Sequence, residues 1–212
     1  MEAELAGEGE APDEISAAAR LSAGDVELAR FLLSAQGRSA RAQAEGLAAT
    51  AIGEVEAGDP PWKALLDVAE RAGEEAETAT RELLEDDKEA GVKRSARDIA
   101  DAAKRAGRRR RTELLDLGLA LTAAWLRDLA AVAAGAVDVA YNRDRLDRLQ
   151  AQVADLVHEP PSGAEGELRG VGTARRAAEL VQDTRRRLDL NVSEELALEA
   201  LSFRLWQEVP SG

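Results

Sequence analysis

Cysteine is absent from this chain, which removes disulfides, thiolate metal sites, iron–sulfur clusters and a cysteine nucleophile together. Histidine occurs once, at His158, so a His-rich metal site is excluded and a Ser–His–Asp triad would have a single position to draw on. Aromatic side chains make up only 3% of the residues, so any core must be built from Ala, Leu and Val. No run of 18 apolar residues occurs, and no membrane span is expected. The first residues are acidic without an apolar stretch, unlike a secretory signal or an Arg-rich transit peptide. A soluble, cytoplasmic protein is therefore the expectation. No Gly-x-x-x-x-Gly-Lys-Ser/Thr loop, Gly-x-Gly-x-x-Gly turn or Gly-x-Ser-x-Gly elbow is present. No catalytic residue, cofactor or metal is expected within the chain.

What remains is ample material for one ordinary domain: 212 residues, 45% hydrophobic and 33% charged. The net charge of −13 is unevenly placed. Residues 1–90 hold 22 acidic against 8 basic side chains, whereas residues 91–212 hold 19 against 20. Within the second part, residues 104–111 carry six cations in eight positions, including Arg108, Arg109, Arg110 and Arg111. Clustered guanidinium groups suit phosphate contacts, because neutralising phosphates releases counterions. A solvated helix segment balanced by the acidic residues 82–89 is the plainer reading, since no aromatic residue lies nearby for stacking.

Ala, Leu, Glu and Arg dominate, no segment alternates with period two, and the fold class is all-α. Asp25 reads as the N-cap of a helix reaching Gly37, and Ser39 as the cap of a helix reaching Gly58. Asp59 would cap a helix with Pro60 and Pro61 in its first turn. Residues 73–111 are charged and weakly amphipathic, as in an exposed helical hairpin broken near Gly91. The most apolar helix, Leu114 to Ala133, should lie at the centre of a bundle, with Trp125 as a core or interface anchor. Arg127 and Asp128 are adjacent on that helix and are expected to meet different partners. Asn142 and Asn191 read as turn or cap residues. His158 to Gly172 reads as a surface stretch, Thr173 as the cap of the next helix, and Ser193 as the cap of the last one.

Two segments in this half carry a specific pattern: Leu121-Thr-Ala-Ala-Trp125-Leu126-Arg127-Asp128-Leu129 with Gly135 and Tyr141-Asn142-Arg143-Asp144, then Leu190-Asn191-Val192-Ser193-Glu-Glu-Leu196-Ala-Leu198-Glu199. Together they resemble the C-terminal collar domain of bacterial AAA+ clamp-loader subunits, most closely those of the DNA polymerase III delta-prime type. Ser193 stands where that family usually has a second Asn. Upstream, Gly37-Arg38-Ser39-Ala40-Arg41-Ala42 resembles the end of an AAA+ lid, in which a Gly-x-x-Gly-Arg-Ala stretch places a sensor arginine. Arg41 falls at that position, with Ala40 in place of the second Gly.

The resemblance implies an acidic N-terminal segment over 1–19 at the start of the lid, lid-like helices over 20–58, and a helical collar over 59–209 with the charged extension at 73–111. It implies the lid remnant and collar of a longer subunit, without the nucleotide-binding module. Its role would be scaffolding: other clamp-loader subunits would be its partners in a hetero-oligomeric ring that loads sliding clamps during bacterial DNA replication, with DNA contacted only indirectly. Trp125, Arg127, Asp128, Asn142, Asn191, Leu198 and Glu199 would shape the fold or the subunit interface. Two readings stand beside this one. One is a helical nucleic-acid-binding module using Arg108 to Arg111; the other is an acidic helical adaptor unrelated to replication.

Overall fold

The structure, a computed structural model, describes residues 11–53, 60–158, 164–188, 190 and 192–208. Among them are eight α-helices and no strand. In chain order these are α1 (Pro12–Leu21), α2 (Val26–Leu33), α3 (Ala35–Ala49), α4 (Pro61–Glu89), α5 (Ala96–Ala133), α6 (Leu146–His158), α7 (Ala164–Leu188) and α8 (Glu194–Gln207). Short 3-10 turns follow α3 (Thr50–Ile52) and link α5 to α6 (Val137–Val139 and Arg143–Arg145).

Helix α5 is the axis of the bundle. It packs against α3, α4, α6 and α7, while α8 closes one side against α7 and α4. Leu114, Leu115, Leu119, Trp125, Leu126 and Leu129 of α5 are buried, as its apolar composition requires. They share one continuous cluster with Ile15, Leu32 and Leu47 from the first helices and Leu198, Leu201 and Leu205 from the last. Fully burying a leucine contributes about 1.5–3 kcal/mol, so this leucine-built centre supplies most of the driving force.

The charged stretch 73–111 does not form a separate helix. It is shared between the second half of α4 and the first half of α5, which make an antiparallel hairpin. Gly91 sits in the turn with φ +101°, a conformation that favours glycine. Where the arms cross, Gly73 faces Gly107: a Cβ added to Gly107 would lie 2.9 Å from the Gly73 carbonyl oxygen and 3.0 Å from Glu77 Cβ. The missing side chains let the two backbones touch.

Several helix starts differ from the sequence expectation. Asp25 does cap α2, its carboxylate accepting from Leu28 N at 3.0 Å. The next cap, however, is Ser34 rather than Ser39; its hydroxyl accepts from Gly37 N at 3.1 Å, so Gly37 lies inside α3. Pro60 occupies the N-cap of α4 and Pro61 its first position, while Asp59 lies outside the described residues. Helix α6 continues to His158, and α7 already runs from Ala164, so Thr173 is buried within a helix and caps nothing. Packing of α7 on α5 and α6 overrides the weak helix propensity of its glycines.

Candidate functional site

The residues singled out by the clamp-loader resemblance meet at the connection between α5 and α6. Residues 134–145 reverse the chain; the first of them donate to the last carbonyls of α5, and the N–H groups of Tyr141 and Asn142 need partners from elsewhere. Asp128, near the end of α5 and fully buried, provides them. Its Oδ2 accepts from Tyr141 N at 2.9 Å, from Asn142 N at 2.8 Å and from Asn142 Nδ2 at 2.9 Å. A carboxylate is a pure acceptor with room for all three donors. From α1, Arg20 Nη1 donates to the carbonyls of Asp138 (3.2 Å) and Ala140 (3.0 Å).

Helix α3 completes the junction. Arg41, 5% exposed, donates through Nη2 to Asn142 Oδ1 at 3.0 Å and to Asp144 Oδ1 at 2.8 Å. One turn further on, the buried Glu45 pairs with Arg145 at 2.5 Å and with Arg148. Each buried acid thus meets an arginine: Asp144 meets Arg41, Glu45 meets Arg145 and the more exposed Arg148, and Asp128 meets Arg127. Trp125, 2% exposed, donates through Nε1 to Gln152 Oε1 of α6 at 2.8 Å. It is a core anchor whose one polar atom is satisfied.

Asn142 lies in the turn, at the N-cap position of the 3-10 turn Arg143–Arg145; its side chain makes no cap bond and is held between Asp128 and Arg41. One expectation changes here. Arg127 and Asp128 do touch, Nη1 lying 3.2 Å from Oδ1. Adjacent Cβ atoms diverge around a helix, but the arginine is long enough to fold back over the Tyr141 ring, with Cζ 4.0 Å from its centroid. The guanidinium of Arg41 points into this junction, buried against Asn142 and Asp144. The arrangement positions helices α3, α5 and α6 relative to one another.

The arginine run divides into two pairs. Arg110 lies over Phe31 of α2, Cζ 4.8 Å from the ring centroid, and Arg111 bridges Glu70 of α4 (3.3 Å) and Glu194 of α8 (2.7 Å). Arg108 and Arg109 are exposed, as are Lys104 and Arg105.

On α8, Leu198 is fully buried with Leu201 and Leu205, whereas Glu199 is exposed on the other side. That outer side also carries Leu196 (63% exposed), Phe203 (57%) and Trp206 (58%). The Phe203 and Trp206 rings touch, their centroids 6.1 Å apart. Leu190 and Val192 extend the exposed apolar surface ahead of the helix. Asn191 lies outside the described residues. The spacing of 196, 203 and 206 separates this side, which also carries Glu195 and Glu199, from the buried face of Leu198, Leu201 and Leu205.

Among the described residues, no group of three or more His, Asp or Glu side chains could hold a metal ion, and no helix is long and apolar enough to cross a membrane. No protein family, curated protein or solved structure matches the chain.

Proposed function

We propose that this chain is a scaffold domain that acts by being held between other subunits, of the kind found in the collar of a bacterial clamp loader, and that it supports sliding-clamp loading there without chemistry of its own. The observation that carries this reading is the outer face of α8, where Leu196, Phe203 and Trp206 lie exposed on a helix whose opposite face is already buried. Three large apolar side chains set among Glu195 and Glu199 on that outer side suit contact with a further partner, and the bundle covers only the opposite face. The junction supports the reading from another direction. Arg127, Asp128 and Asn142, carried by the collar-like pattern, and Arg41, carried by the lid-like pattern, form one connected set of contacts. A part that transmits position between subunits needs such a fixed joint between its segments.

Mixing the purified chain with the other clamp-loader subunits should give a complex that co-elutes on size exclusion. The Leu196→Ser, Phe203→Ser, Trp206→Ser triple variant should keep its helical circular-dichroism spectrum and lose the complex. Failure of the unmodified chain to associate with any of those subunits would overturn the reading.

A further inference from the structure

The α4–α5 hairpin has two arms of opposite charge. The outward positions of α4 are acidic (Glu74, Glu75, Glu82, Glu85, Asp86, Glu89), whereas the first half of α5 presents Lys104, Arg105, Arg108 and Arg109. These four cations are all exposed, and none forms a hydrogen bond or an ion pair among the described residues. In this they differ from Arg110 and Arg111, half-buried and engaged by Phe31, Glu70 and Glu194. The folded chain therefore splits the arginine run by direction: two inward and structural, two outward and joined by Lys104 and Arg105.

Spacing gives the outward group its character. Lys104 to Arg108 and Arg105 to Arg109 are one helical turn apart, a rise of about 6 Å. Duplex DNA carries one negative charge per ~1.7 Å of its axis, so a row of cations at that step keeps each within reach of a phosphate. Ala103 and Gly107 are buried toward α4, which turns Arg105 and Arg109 away from the acidic arm across a helix about 10–12 Å wide. At physiological salt the Debye length is about 8 Å, so the acidic arm and the chain's net charge of −13 are largely screened from a ligand on that side. Asp98 and Asp101 lie nearer the hairpin tip on the same side; the Asp98 carboxylate accepts from Ser95 Oγ and is also within the field of Arg105, and Asp101 lies 3.9 Å from Arg97.

We propose that Lys104, Arg105, Arg108 and Arg109 form a contact site for the phosphate backbone of double-stranded nucleic acid. The chemistry separates this ligand from its rivals. A bound protein segment is anchored by apolar or aromatic side chains, and this arc of α5 offers exposed charged groups instead, the four cations with Asp98 and Asp101 toward the tip. Single strands are held by base stacking, and no aromatic residue lies between Trp62 and Trp125. Point charges in regular steps read a regular lattice of phosphates without reading sequence. The site is independent of the outer face of α8, at which subunits are proposed to dock.

The test uses the full chain and a fluorescein-labelled 24-base-pair duplex of arbitrary sequence, followed by anisotropy between 50 and 200 mM KCl. Four phosphate contacts predict a slope of log K against log salt of about −3.6, a roughly 150-fold loss across that range. Replacing Lys104, Arg105, Arg108 and Arg109 with Gln abolishes measurable binding and leaves the melting temperature unchanged. A control variant with Gln at Arg143, Arg175, Arg186 and Arg187 loses the same total charge at exposed positions elsewhere and retains most of the affinity. The proposal is overturned if the unmodified chain does not bind the duplex at 25 mM KCl or if the control variant weakens binding equally. It is equally overturned if poly-L-glutamate at matched charge displaces the duplex as well as unlabelled duplex does, which would assign the cations to polyanions at large.

Discussion

Asp128 and Asn142, fourteen positions apart, are joined twice: Asp128 Oδ2 accepts the backbone N–H of Asn142 at 2.8 Å and its side-chain amide at 2.9 Å. The pair ties the end of the longest helix to the start of the next, and Arg41 holds the far side of the same amide at 3.0 Å. Three helices are thereby fixed through one asparagine.

Removing the carboxylate strands three donors in a dry site. Asp128→Ala should therefore lower unfolding free energy by about 3 kcal/mol, the cost of leaving buried polar partners unanswered. Arg127→Ala, next to it but half exposed, should cost under about 1 kcal/mol. Urea unfolding of the two variants checks the contrast, and equal losses would show that the buried carboxylate does not organise the junction.

Arg41 and Asp144 are both nearly inaccessible and lie 2.8 Å apart. A double-mutant cycle on Arg41→Ala and Asp144→Ala should return a coupling energy of roughly 1 to 3 kcal/mol, because each single change leaves the other charge unpaired. Additive losses would mean that the two side chains are stabilised separately.

Two glycines inside helices should respond in opposite directions to the same methyl group. Gly107→Ala drives a Cβ against the Gly73 carbonyl and Glu77, so it should destabilise by about 1–3 kcal/mol despite its better helix propensity. Gly46→Ala on α3 meets nothing within 4 Å and should stabilise by about 0.5–1 kcal/mol. Thermal melts of both variants measure the difference in sign.

The hairpin's second arm starts with a reciprocal cap: Ser95 Oγ accepts from Asp98 N at 3.1 Å, and the Asp98 carboxylate accepts from Ser95 Oγ at 2.7 Å and from Ser95 N at 3.3 Å. The Ser95 hydroxyl, first, and its N–H hold the Asp98 carboxyl below its ordinary value, with Arg105 and Arg94 adding to the effect. A depressed folded-state value means that the contribution is complete above the ordinary aspartate range and is lost as pH falls through the lowered value. NMR titration should find Asp98 protonating at a lower pH than an ordinary aspartate. Ser95→Ala should move it back toward the ordinary value and raise hydrogen exchange in the first turn of α5 at neutral pH.

The helical architecture was legible because its signals are local. An acidic cap at Asp25, a proline pair at 60–61 and the apolar run 114–133 each declare themselves within one or two turns. The junction was legible in its members and not in its wiring. Arg41, Asp128 and Asn142 stood out in short patterns, but Arg41 and Asn142 are 101 residues apart, and only folding shows that they meet. Glu45, Arg145 and Gln152 went unnoticed, since charged and amide residues look the same in sequence whether they face water or one another. The arginine run failed differently. Six cations in eight residues must point in several directions around a helix, and nothing in the run says that Phe31 and Glu194 will engage two of them.

Helix α5 runs unbroken for 38 residues, about 57 Å, from the hairpin turn to the Asp128 joint. Its outer third and its core third are one stiff rod, so the arm works as a lever with its fulcrum in the leucine centre. Whatever engages the tip rotates the bundle with it, and a pair of spin labels, one at the tip and one on a neighbouring molecule, would report the attitude of the whole domain.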